Sequence, residues 1–202
     1  IFNENRLNKP SGKIIEEEAE SSTKDDSEED GYDEADSIAI SIKRSAEKGN
    51  TASMVKYGEI LLKGEGVTQD KKEAVKYFKK AADEGNLEGL TNYAICLLNG
   101  DGHKKNRKKS IELLKEASNR GSMKAMLKYA DILYDNDQKK EAIEIFKETA
   151  DQGDLEAKFR YAIFLYKGEG SLLPQNKEES CRYFKEAADQ GHVKSMVNYA
   201  SL

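Results

Sequence analysis

The groups in this 202-residue chain that could do chemistry are two histidines, two cysteines, a basic tract and three Gly-x-Gly loops. His103 and His192 stand far apart, and neither has a Cys, His or Asp partner at metal-ligand spacing, so no zinc site is expected. Cys96 and Cys181 are too few for a disulfide framework. Both occupy positions that elsewhere in the chain hold Ile, Val or Phe, so both are read as buried core residues. Gly64-Glu65-Gly66, Gly100-Asp101-Gly102 and Gly168-Glu169-Gly170 resemble phosphate loops only superficially, because each follows a helical pattern and lacks the Lys-Ser/Thr of a P-loop. They read as structural turns. A serine nucleophile would need a Gly-x-Ser-x-Gly elbow between strand and helix, and the pattern predicts no strands. No catalytic residue and no cofactor is therefore assigned. The tract His103-Lys104-Lys105-Asn106-Arg107-Lys108-Lys109 stays open between an import signal, an anionic-lipid contact, a docking patch and an ordinary solvated turn.

What positions these residues is a repeat. The pairs Gly49/Tyr57, Gly85/Tyr93, Gly121/Tyr129, Gly153/Tyr161 and Gly191/Tyr199 share one internal spacing, and their glycines lie 36, 36, 32 and 38 residues apart. A period of this length implies a two-helix unit copied in tandem. Residues seven, ten and eleven before each glycine recur at helical spacing, for example Phe78, Val75 and Ala74 or Phe146, Ile143 and Ala142, so one helix, B, ends at each glycine. The same rule places Ile42, Ala39 and Ile38 in the core of the first unit. Each glycine takes the left-handed cap. Asn50, Asn86, Ser122 and Asp154 follow as N-caps of a second helix, A, and His192 holds the fifth such position. Helix A turns Tyr57/Gly58/Leu61 and the equivalent Tyr93/Ala94/Leu97, Tyr129/Ala130/Leu133, Tyr161/Ala162/Leu165 and Tyr199/Ala200 to the core. Large columns alternate with small ones, so neighbouring helices interdigitate.

The run from Gly64 to Asn86, GEGVTQDKKEAVKYFKKAADEGN, resembles the Sel1-like repeat, a relative of the tetratricopeptide repeat with a longer turn between its two helices. Its Gly-x-Gly recurs in three units, with Asp70, Asn106 and Asn176 where helix B needs an N-cap. The third unit departs from the pattern with a short Asp135-Asn136-Asp137, and the fourth carries an insertion with Pro174; both changes fall in a turn, where length varies freely. The resemblance implies an all-α fold: a right-handed α-solenoid of tandem antiparallel helix pairs, a tetratricopeptide-like superhelix, with a disordered acidic N-terminal segment. Its expected divisions are an acidic segment over 1–33 and a solenoid over 34–202. The solenoid comprises a half repeat at 34–49, full repeats at 50–85, 86–121, 122–153 and 154–191, and the start of a fifth at 192–202.

Charge sharpens the division. Residues 1–34 hold 12 Asp/Glu against 4 Lys/Arg, a net of −8, which leaves +3 on the remaining 29 basic and 26 acidic residues. A balanced repeat surface argues against a nucleic-acid binder, which needs a continuous basic face. The acidic segment lacks the apolar periodicity that would offset chain entropy, and Ser22, Thr23 and Ser27 each precede an acidic residue by three positions, as acidophilic kinases prefer. No apolar run is long enough to span a bilayer. The absence of an Asn-x-Ser/Thr acceptor leans toward the cytoplasm. With Ile1 at one end and Leu202 inside a fifth helix A, the chain reads as a fragment whose uncapped ends self-associate.

Relatives of this kind act as adaptors, so the resemblance implies a non-catalytic scaffold that presents a concave helix A surface to a protein or peptide ligand. The alternative is a regulatory repeat region of a larger enzyme, such as a protein kinase. By tetratricopeptide geometry the partner-binding residues are those two and five or six positions past the repeated tyrosine. These are Glu59, Leu62 and Lys63; Ile95, Leu98 and Asn99; Asp131, Tyr134 and Asp135; and Ile163, Tyr166 and Lys167.

Overall fold

The computed structural model describes residues 34 to 201, and the expectations for residues 1–33, disorder and phosphorylation among them, lie outside it. The described residues form ten α-helices and no strand: α1 (Glu34–Glu47), α2 (Thr51–Lys63), α3 (Lys71–Asp83), α4 (Leu87–Asn99), α5 (Arg107–Asn119), α6 (Met123–Asp135), α7 (Lys139–Asp151), α8 (Leu155–Lys167), α9 (Lys177–Asp189) and α10 (Val193–Ala200). Odd-numbered helices are type B and even-numbered ones type A. Each packs on its sequence neighbours, and α2 also touches α4, which makes the array an α-solenoid of helix pairs.

Local chemistry sets the helix ends. Asn50, Asn86, Ser122 and Asp154 each accept from the amide three residues on, at 2.8, 2.8, 3.3 and 2.8 Å, as N-cap side chains do. His192 makes no such bond, and α10 begins without a side-chain cap. Asp70, Asn106 and Asn176 cap the B helices in the same way. Both glycines of each Gly-x-Gly have positive φ, 79° and 68° at Gly64 and Gly66, a conformation that L side chains resist. In the short third turn Asp137, at φ 63°, takes the left-handed position instead. Every A-to-B turn then closes on one acceptor: the amides of Asp70, Asn106, Gln138 and Asn176 donate to the carbonyls of Leu61, Leu97, Leu133 and Leu165 at 2.8 to 2.9 Å. Turn length varies around that fixed bond.

Packing follows the columns. Phe78, Leu114, Phe146 and Phe184 are buried, as are Tyr57, Tyr93, Tyr129 and Tyr161. Ser110 and Ser180, which sit in the column of Ala74 and Ala142, donate their hydroxyls to the carbonyls of Ala94 and Ala162 at 2.7 Å, so a polar side chain costs the core little there. Three expectations need correction. Tyr199 is 38% exposed and Ala200 is exposed with it, because among the described residues no helix follows α10 to cover them. Ile38 is 52% exposed, because among the described residues no helix precedes α1 to cover it. Cys181 is half-buried rather than core. Ile111 in the same column is half-buried too, so this position lies at the margin of the buried stripe. Cys96 is buried, and burial pushes its thiol up to about 11.

Candidate protein-binding face

The A helices are joined side by side through their polar residues. Asn92 of α4 donates to Glu59 of α2 at 3.3 Å and accepts from Lys124 of α6 at 2.7 Å. Further along, Arg160 of α8 binds Asp131 of α6 and, at 2.9 Å, Glu156 one turn earlier on its own helix. Glu156 also meets Lys194 and His192 at 3.3 and 3.4 Å. Burial alone would raise the Glu156 carboxyl, but the hydrogen bonds from Arg160 and Lys194 hold it below the usual range. Asp131 shifts the other way: burial raises it and the Arg160 charge only partly compensates.

A second set of bonds ties three of the B helices, α3, α5 and α7, to the following turn. Lys71, the first residue of α3, reaches Asp101 in the next Gly-x-Gly at 2.9 Å; Arg107, the first of α5, reaches Asn136 at 3.3 Å; Lys139, the first of α7, reaches Glu169 at 3.4 Å. A cation at a helix N-terminus opposes the helix dipole. Its recurrence there makes sense once the charge is directed at the neighbouring turn. Tyr134 joins the third of these, donating to Glu169 at 2.6 Å while its ring lies under Lys139 Nζ at 5.2 Å. That bond lifts the Tyr134 hydroxyl to about 12 and lowers the Glu169 carboxyl.

The residues expected on the binding stripe therefore divide. Glu59 and Asp131 take part in links between A helices, and Tyr134 is engaged at the turn. Leu62, Ile95, Leu98 and Ile163 are half-buried; Lys63, Asn99, Asp135 and Lys167 are exposed; Tyr166 is 39% exposed under Lys177. Ile163, Tyr166 and Lys167 come together in a cleft of about 280 Å³ with Phe184 and Asn198. Sequence reasoning did not single out Asn92, Lys124, Glu156 or Arg160. Their signal was present as polar pairs four residues apart on one helix face, Glu88/Asn92, Lys124/Lys128, Glu156/Arg160 and Lys194/Asn198. The tract from His103 to Lys109 is exposed throughout. Among the described residues no group of three His, Cys, Asp or Glu could hold a metal, and no helix is long and apolar enough to cross a membrane.

Stacked helix pairs of this kind, joined through recurring polar positions, define a helical-repeat protein. The sequence model of the Sel1 repeat matches residues 51–86, 87–122, 124–154 and 155–192, and the chain belongs to the Sel1 repeat family. Proteins of this family generally mediate protein–protein contacts and are typically non-catalytic. Among solved structures, a Sel1 repeat protein from Oxalobacter formigenes superposes with a TM-score of 0.70 at 21% identity, covering 82% of this chain and 74% of that one. A protective antigen of uropathogenic Escherichia coli with the same fold gives 0.69 at 24% identity over 81% of this chain and 35% of its own, so the present chain spans about a third of that protein. An immunity protein from Pseudomonas aeruginosa gives 0.62 at 16% identity, over 79% of this chain and 60% of that one. These likenesses establish the fold. A comparison with curated proteins found no significant match.

Proposed function

We propose that residues 34–202 act as a non-catalytic scaffold whose concave A-helix face receives a protein or peptide partner. The observation that carries this reading is the fixed frame of the face. Bonds from Glu59 through Asn92 to Lys124, and from Asp131 through Arg160 and Glu156 to Lys194, hold successive A helices in register. Within that frame Leu62, Ile95, Leu98, Ile163 and Tyr166 keep part of their apolar surface in water. A rigid face with a few apolar anchors among charges binds without a large ordering cost. The free cysteines and the absence of Asn-x-Ser/Thr acceptors support a cytoplasmic setting. No observation favours the kinase-appendage alternative.

The test is a peptide-library selection on the full chain, followed by affinity measurement on variants. Changing Ile163 and Lys167 together to alanine is expected to weaken the selected partner at least tenfold, or about 1.4 kcal/mol, with the circular dichroism spectrum unchanged. Retained binding by that variant, together with loss on changing Lys104, Lys105 and Lys108 to glutamine, would move the site to the turns and overturn the reading.

A further inference from the structure

Successive A helices meet in one register. Glu59, two residues past the repeated tyrosine of α2, meets Asn92, one residue before the tyrosine of α4. Asp131 of α6 meets Arg160 of α8 in the same relation. Ile163 of α8 and Asn198 of α10 hold the next such pair of positions, and both line one cleft. The same register sets Ile95 of α4 opposite Lys128 of α6. At this junction a cation stands where its neighbours place Asn92 and Arg160, while the carboxylate that would neutralise it is replaced by isoleucine.

Lys128 is exposed and makes no ion pair among the described residues. The carboxylate nearest along its own helix, Asp131, is engaged by Arg160. Lys124, one turn earlier, reaches across to Asn92 on α4 and so stands over the same junction. The register thus sets two lysine positions beside a half-buried isoleucine on the face already read as the binding surface.

We infer that the α4–α6 junction anchors an acidic segment of the partner protein, with a carboxylate set on Lys128 and Lys124 and a neighbouring apolar side chain on Ile95. The inference rests on the A-face reading and specifies the partner's chemistry. Two lysines do not make the extended basic face that a phosphate backbone requires. Ile95 supplies an apolar contact that a phosphate has no use for, whereas Glu or Asp beside Leu, Ile or Phe uses both parts of the site.

The probe is a short fluorescein-labelled peptide carrying consecutive Glu-Leu pairs, with a Gln-Leu counterpart as control, titrated against the full chain by anisotropy. Binding of the Glu-Leu peptide is expected to fall at least tenfold for the Gln-Leu control and for Lys128→Gln. Ile95→Glu should have the same effect, because it rebuilds the carboxylate found at the α2–α4 and α6–α8 junctions and neutralises Lys128 from within. Should Ile95→Glu fail to fold, Lys128→Gln, at an exposed position, still decides the matter. Changing Lys104, Lys105 and Lys108 to glutamine should leave binding unchanged. Undiminished binding by Lys128→Gln overturns the inference. If that binding instead falls with the Ile163/Lys167 variant, the A-face reading survives with its anchor elsewhere; if it falls only with the turn lysines, both fail. No binding of the Glu-Leu peptide to the unaltered chain rejects the acidic-segment inference, and the library selection then judges the A face by itself.

Discussion

Gly58 offers a quantitative test of the column argument. It occupies the position that Ala94, Ala130 and Ala162 hold in the next three units, all fully buried. A methyl group added there would lie 2.6, 2.9 and 3.0 Å from three ring atoms of Phe78, itself only 1% exposed. Gly58→Ala gains about 1 kcal/mol of helix propensity, while overpacking a tight core costs typically 1–3 kcal/mol. Ala130 coexists with Phe146, and Ala162 with Phe184, so the ring can yield, but three contacts at or below 3.0 Å put the cost near the middle of that range, about 2 kcal/mol. Net destabilisation of about 1 kcal/mol is expected. Phe78→Leu alone opens a small void and should cost about 1–2 kcal/mol. The double variant recreates the Ala94/Leu114 pair of the following unit, so its cost should fall below the sum of the two by roughly 1–2 kcal/mol, within the coupling range of residues in contact. Urea unfolding followed by circular dichroism reads all four corners of the cycle. Additive effects, or a Gly58→Ala variant more stable than the parent, would refute the claim that the repeats share one packing geometry.

Gly102→Ala should destabilise by more than 1 kcal/mol, since it combines positive φ with a Cβ driven against the Lys71 carbonyl; thermal melting checks it. A thiol reagent should modify Cys181 well before Cys96, because Cys181 is half-buried while Cys96 is buried with its thiol held near 11; equal rates would contradict the packing. Acid should weaken the array in a defined window. Asp101, lowered by the Lys71 bond, and Glu169, lowered by the Tyr134 hydroxyl, have folded values below their unfolded ones. Their contribution is therefore present above about pH 4 and lost as pH falls through the folded values. Asp131, raised by burial, works in the opposite direction. Each exposed pair contributes only about 0.2–1 kcal/mol, so the urea midpoint should be flat from pH 7 to 5 and decline below 4, and Asp101→Asn should make that decline shallower.

The columns were legible because burial constrains residue type within a single helix. Phe78, Leu114, Phe146 and Phe184 recur at one offset from a glycine, since each fills the same gap between two helices. The margin of that stripe was harder to place. A column of Val75, Ile111, Ile143 and Cys181 reads as uniformly apolar, yet two of its members are half-buried. Hydrophobicity reports which face turns inward and not how deeply each residue sits.

The bonds between repeats were hidden for a different reason. Lys71–Asp101, Arg107–Asn136 and Lys139–Glu169 share a geometry, but no two of the three use the same pair of residue types, and the partners lie about a repeat apart in sequence. What persists is a cation at the first position of helix B and an acceptor at the middle of the next turn. The third turn makes the point most directly. It has lost both glycines and several residues, yet Asn136 still presents an oxygen to Arg107 and the Gln138 amide still closes on Leu133. A turn that keeps both bonds while changing length and composition is constrained by its contact with the preceding unit more than by its own conformation. In a solenoid, where each unit is supported mainly by its neighbours, that contact sets the register in which Ile95 comes to face Lys128.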